Sequence, residues 1–115
     1  MKQSPIFVKT YDLLVWLLGR TSKFPKNERF RLAKRIENSA FAFHDLLLQA
    51  GRLPREKKGD RRRLLTRADL ELDRLRFTVR LCRDLKLISF KQYEYCAERL
   101  VEIGRLMGGW HKSLA

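Results

Sequence analysis

Residues 65–85 read Leu-Thr-Arg-Ala-Asp-Leu-Glu-Leu-Asp-Arg-Leu-Arg-Phe-Thr-Val-Arg-Leu-Cys-Arg-Asp-Leu. Leu65, Ala68, Leu72, Leu75, Val79 and Cys82 recur at intervals of three and four, the spacing of one face of an α-helix. A second apolar row, Leu70, Phe77, Leu81 and Leu85, lies well round the same cylinder. A helix with two apolar stripes has two packing partners. One stripe is expected to face the chain's own core and the other a neighbouring subunit. A wide core face with arginines snorkelling from its rim is the competing reading. Between the stripes lie Asp69, Asp73, Arg76, Arg80 and Arg83, with acids toward the N-terminal end and arginines toward the C-terminal end. That order suits the helix dipole.

The segments on either side repeat the helical pattern. Upstream, Leu32, Ile36, Ala40, Phe43, Leu47 and Ala50 line one face of a helix that Gly51 is expected to end. Residues 52–60 read as a linker punctuated by Pro54 and Gly59, and Asp60 as the N-cap of the next helix. A first helix opens at Ser4-Pro5, with Ser as N-cap and Pro at the first helical position. Its inner face is predicted to be Phe7, Tyr11, Leu14 and Leu18, and Phe24-Pro25 breaks the pattern after it. Downstream, Ser89-Phe90-Lys91-Gln92 is a capping box. Tyr93, Cys96, Ala97, Leu100, Ile103 and Met107 follow as an inner face, with Gly104 on it as a point of close helix approach. Gly108-Gly109 is expected to end this helix.

Four amphipathic segments with short connections predict an all-α fold, an antiparallel up-down-up-down four-helix bundle. The expected helices are about 5–22, 26–50, 61–86 and 90–107 in a single domain of residues 1–110, with 111–115 as a tail. The length of 115 residues suffices for one self-supporting core. A hydrophobic fraction of 44% argues against wholesale disorder.

Charge is the unusual quantity. Twenty-six Lys and Arg against thirteen Asp and Glu leave +13. Such a surplus attracts polyanions, nucleic acid first among them, because each neutralised phosphate releases counterions. The densest run is Arg52, Arg55, Lys57, Lys58, Arg61, Arg62, Arg63 and Arg67, relieved only by Glu56 and Asp60. It reads as an interaction arm. The expected mode is contact of Arg and Lys with the phosphate backbone, with little reading of bases.

Several chemistries are excluded. Cys82 and Cys96 sit on apolar faces, where cysteine acts as a small hydrophobe, and two cysteines make no disulfide framework. A reducing, cytoplasmic setting is expected. The longest apolar run, Leu13 to Leu18, is too short to span a bilayer, so no membrane insertion is expected. Neither His44 nor His111 belongs to a metal-ligand pattern, so no metal and no cofactor is expected. There is no Gly-rich phosphate loop and no nucleophile elbow. The remaining enzymatic reading is a small helical nuclease using Asp69, Glu71 or Asp73 with a metal; Asp69 and Asp73 share a face at i and i+4, but Arg76 and Arg80 beside them favour a solvated charge network over the converging carboxylates such chemistry wants.

The chain resembles the accessory variability determinant (Avd) proteins of diversity-generating retroelements, relatives of the four-helix proteins encoded in bacterial ribosomal-RNA intervening sequences. The resemblance rests on Lys9-Thr10-Tyr11-Asp12-Leu13-Leu14 through Trp16-Leu17, Lys23-Phe24-Pro25, Glu28-Arg29-Phe30 and Arg35-Ile36-Glu37. It continues through Ala68 to Arg76, Gln92-Tyr93-Glu94-Tyr95, Ile103-Gly104-Arg105-Leu106 and Gly108-Gly109-Trp110. Of these, the Tyr-Glu-Tyr and Gly-Gly-Trp motifs favour Avd over the ribosomal-RNA relatives.

The resemblance implies a four-helix bundle assembled as a barrel-shaped homopentamer. It implies binding to a retroelement reverse transcriptase and to template RNA or DNA during error-prone copying of a template repeat, by a protein without polymerase activity of its own. Basic residues of the third helix are the family's contact surface, which here corresponds to Arg76, Arg80 and Arg83. Lys57, Lys58, Arg61, Arg62 and Arg63 are expected to add long-range attraction. The alternative is a ribosomal-RNA-associated four-helix protein without a reverse transcriptase partner.

Overall fold

The computed structural model describes residues 4–114, so the expected domain start at residue 1 and tail end at residue 115 lie outside the described residues. Helix α1 spans Pro5–Thr21 and α2 spans Lys26–Glu28. A π-helical segment, Arg29–Ala33, runs without a break from α2 into α3, Lys34–Arg52. Helices α4, Lys58–Asp84, and α5, Phe90–Lys112, follow. No strand occurs among the described residues. α1 packs on α3 and α5, and α4 packs on the same two helices, so α1 and α4 sit diagonally across a four-helix bundle. Connections of four or five residues turn the chain back at each corner, which gives the up-down-up-down order. The bundle measures 47 × 25 × 24 Å.

The core rows of α3 and α4 are those read from spacing. Leu32, Ile36, Ala40, Phe43, Leu47 and Ala50 are buried against Leu65, Ala68, Leu72, Leu75, Val79 and Cys82. Thr78 is buried among them and discharges its hydroxyl onto Arg74 O at 2.9 Å, so its polar group is not left unpaired.

The buried face of α1 differs from the expected one by a single residue, about 100° of rotation. Ile6, Thr10, Leu13, Leu17 and Thr21 face inward, while Tyr11 is 67% exposed and Leu18 is also exposed. Phe7 and Leu14 are half-buried. Two threonines concealed the true row. Thr10 Oγ1 donates to Ile6 O at 2.7 Å and Thr21 Oγ1 to Glu37 Oε2 at 2.6 Å, so both enter the interior fully satisfied. Ser4 holds an extended backbone, but its hydroxyl makes no cap bond among the described residues; its carbonyl accepts from Phe7 N instead.

Helix ends also move. α3 continues past Gly51 to Arg52, and α4 begins at Lys58, before Asp60, which shortens the linker to residues 53–57. α5 runs through Gly108-Gly109 to Lys112, so part of the expected tail is helical. Tertiary packing explains the extension. Trp110 lies 6.3 Å from the Phe7 ring and Leu114 is buried, so apolar contacts hold the glycines in helical conformation. The capping box forms as read: Ser89 Oγ accepts from Gln92 N at 3.1 Å, and Ser89 N donates to Gln92 Oε1 at 2.9 Å.

The α4–α5 corner is a Schellman turn, with Leu87 N donating to Cys82 O at 2.8 Å and Lys86 N to Arg83 O at 3.0 Å. Lys86 occupies its left-handed position with φ 62°.

Candidate functional site

Helix α4 carries apolar side chains on two faces. Its core row is covered by α3 and α5. Leu70 and Phe77 point the opposite way, and Phe77 is 66% exposed. Leu81 is half-buried and Leu85 exposed beside them. Diagonally across the bundle, Val8, Tyr11, Val15 and Leu18 form a second exposed apolar row, spaced three, four and three along α1. Sequence reading missed this row because it treated Tyr11 and Leu18 as core. Rows of exposed apolar side chains make both faces candidate contact surfaces.

Arg76, Arg80 and Arg83 line the α5 side of α4, and two of them are tied to that seam. Arg76 Nη1 pairs with Asp73 Oδ1 at 2.9 Å, while Nη2 reaches Leu100 O on α5 at 3.4 Å. Arg83 pairs with Asp84 at 2.8 Å and lies over the Tyr93 ring, 4.5 Å from its centroid. Arg80 is exposed and has no ion pair or side-chain hydrogen bond among the described residues. It projects between two anchored neighbours. Gly104 has a different job from the expected one. A Cβ there would overlap Arg76 Nη2, whereas the nearest apolar α4 side chain, Leu72, stays 3.6 Å away. The missing side chain makes room for a guanidinium rather than for a helix backbone.

The basic run at the start of α4 divides similarly. Arg61 is largely structural: Nε donates to Ala50 O at 2.9 Å and Nη2 to Leu53 O at 2.7 Å and Pro54 O at 3.1 Å, closing the end of α3. Arg63 pairs with Asp60. Lys57, Lys58 and Arg62 are exposed, with no ion pair among the described residues. Cations in the first turn of a helix oppose its dipole, so Lys57 and Lys58 do not serve the stability of α4.

A further basic groove went unread in the sequence. Phe30, Arg31, Lys34, Arg35 and Asn38 line it from the π-helical segment and α3, and Glu71 and Arg74 from α4. Phe30 is 79% exposed. The signal available was an aromatic within Arg29-Phe30-Arg31, followed one turn later by Lys34-Arg35.

The three carboxylates of the nuclease reading are not gathered into one cluster. Glu71 turns to the α3 side and pairs with Arg74 at 2.9 Å, and Asp73 turns to the α5 side to meet Arg76. No group of three or more His, Cys, Asp or Glu side chains is placed to hold a metal among the described residues. Both cysteines are free and fully buried. Burial pushes the Cys82 thiol up to about 11 and the Cys96 thiol to about 12, so neither is a nucleophile near neutrality. No described helix is long and apolar enough to cross a membrane.

A comparison with curated proteins gave no match. A protein-family model described as bAvd-like matches residues 6–114, which takes in the whole bundle, the Arg76–Arg83 strip and the Phe30 groove. With that match spanning nearly every described residue, the chain belongs to the bAvd-like family.

Proposed function

We propose that this protein is a non-enzymatic accessory factor of a diversity-generating retroelement. It binds a reverse transcriptase and its template RNA or DNA during mutagenic reverse transcription, and it assembles as a homopentamer. Family membership supports the retroelement role. The observation that carries the binding mode is Arg80, exposed and unpaired among the described residues, beside an outward apolar row on the same helix. Apolar side chains supply association energy and Arg supplies phosphate or carboxylate contact. Five chains of +13 would form a strongly attracting field for a polyanion. Arg76 and Arg83 frame that contact, and Lys57, Lys58, Arg62 and Arg63 extend the attraction along α4. Arg61 contributes charge from its capping position. The setting of such a complex is the cytoplasm.

Two measurements test this. Light scattering at high salt, where polyanion contamination is screened, should give five times the 13.7 kDa chain mass. Arg80→Ala with Arg83→Ala should keep its helical content, losing with the Arg83–Tyr93 contact about 1 kcal/mol and a few degrees of melting temperature at most, yet lose capture of the cognate reverse transcriptase and template RNA. Unchanged affinity of that double variant for both partners refutes the assigned surface, and a monomer refutes the assembly.

A further inference from the structure

We propose that the groove between the π-helical segment, α3 and α4 is a second binding site, one that takes unpaired nucleotides of a single-stranded RNA or DNA. Their bases stack on Phe30 and their phosphates meet Lys34 and Arg35. This site lies on the α3 side of α4, away from Arg80, and needs neither a pentamer nor a reverse transcriptase.

Phe30 is the starting point. The π-helical turn carries Leu32 and Ala33 into the core and leaves the Phe30 ring standing in water, 79% exposed. Such turns recur at functional sites. The cations around the ring are unevenly committed. Arg31 lies 3.0 Å from the buried Glu28 carboxylate and Arg74 pairs with Glu71. Lys34 and Arg35 are exposed and have no ion pair among the described residues. Glu71 is the sole acid lining a groove of about 740 Å³ that holds four cations. Asn38 adds an amide with both donor and acceptor capacity.

Charge selects the occupant. A second copy of this +13 chain would bring more positive charge to a cationic groove. An apolar helix would bury those cations without partners. A polyanion satisfies them, and an exposed aromatic beside backbone-contacting cations is the arrangement that holds single strands. Paired bases have their faces covered, so a duplex gains the phosphate contacts and forgoes the ring.

The test is fluorescence anisotropy with an end-labelled single-stranded uridine oligonucleotide and a duplex of equal length. Phe30→Ala should weaken single-strand binding roughly 5- to 150-fold with little change for the duplex, the range expected for one lost stacking contact. Phe30→Trp should restore it. Lys34→Gln with Arg35→Gln should instead flatten the salt dependence, lowering the log–log slope for the single strand by about 1.4. Three results overturn the proposal: unchanged single-strand affinity in Phe30→Ala, equal loss for single strand and duplex, or a lower molar mass in that variant, which would make the ring a subunit contact. None of these depends on the Arg80 surface: with Arg80→Ala and Arg83→Ala already in place, adding Phe30→Ala should cause the same further loss of single-strand affinity.

Discussion

Gly104→Ala separates two explanations of one glycine. If Gly104 exists to let α4 and α5 approach closely, a methyl group there must force the helices apart. If it exists to seat Arg76, only a flexible guanidinium has to move. The distances favour the second: the added Cβ overlaps Arg76 Nη2, while Leu72 Cδ2 at 3.6 Å is an ordinary contact. Moving the guanidinium forfeits its 3.4 Å bond to Leu100 O, which is long and therefore weak. That carbonyl lies inside α5 and keeps its helical partner, so no polar group is orphaned. The loss is at most about 1 kcal/mol. Against it, Ala in a helix interior gains about 1 kcal/mol over Gly. The expected net change lies between zero and about 1 kcal/mol of added stability, a rise of at most a few degrees in melting temperature. Thermal unfolding followed by circular dichroism measures it. In an Arg76→Ala background the same Gly104→Ala change should show its full gain, and the difference between backgrounds isolates the coupling. A fall of more than about 2 kcal/mol, a size that overpacking a core brings, with no relief in the Arg76→Ala background, would refute this account and return Gly104 to a helix-packing role.

Two further perturbations test local chemistry. Lys86→Gly should stabilise the fold by about 1 kcal/mol, since Lys86 holds φ 62° at the Schellman position and an L side chain is sterically disfavoured there. A urea midpoint that stays level or falls at high salt, where loss of the charge is screened, would contradict that. The buried thiols predict an alkaline loss of stability. Their folded pKa values, about 11 for Cys82 and about 12 for Cys96, exceed the ordinary 9.0 because burial disfavours the thiolate. The neutral form is thus favoured by folding. Its contribution is complete below pH 9 and is lost as pH rises from there through the folded values, by up to about 1.4 kcal/mol per pH unit for each group. Urea midpoints between about pH 8 and about pH 10.5 should fall more steeply than in Cys82→Ala with Cys96→Ala; equal slopes would remove the thiols as the cause.

The legible parts of this fold are those where one local rule had no competitor. The α3 and α4 core rows are apolar at strict three–four spacing, so burial follows periodicity. Ser89 and Gln92 satisfy each other within one turn, so no distant contact can override them. Elsewhere two rules competed. On α1, Phe7, Tyr11, Leu14 and Leu18 look more apolar than the buried row because Thr10 and Thr21 hide their hydroxyls in bonds that hydropathy does not register. In α5, Gly108-Gly109 signals a stop, and Trp110 and Leu114 overrule it through burial and, for Trp110, packing on Phe7 at the far end of the sequence. The same distance effect turned Arg61 from an expected contact residue into the cap of α3. Phe30 escaped notice because spacing alone cannot tell which side chain a π-helical turn leaves in water.

What remains after these structural duties are assigned is the part of the surface that stability does not account for. Arg61 closes α3, Arg76 and Arg83 fasten α4 to α5, and Arg31 and Arg74 answer buried or half-buried carboxylates. Lys34, Arg35, Lys57, Lys58, Arg62 and Arg80 answer nothing among the described residues. Lys58 in addition sits in the first turn of α4, where the helix dipole repels it. Exposed like charges raise the free energy of the compact state, so a chain shaped for stability alone would not gather cations around the single acid, Asp60, of the first turn of α4, and would have polar residues where Phe30 and Phe77 stand. Under the proposed function each departure has its own ligand: phosphate for the cations, an unpaired base for Phe30, and an apolar protein surface for Phe77 with its row. A protein that, as proposed, meets a nucleic acid and a protein at once, on separate faces of the bundle, accounts for all three departures.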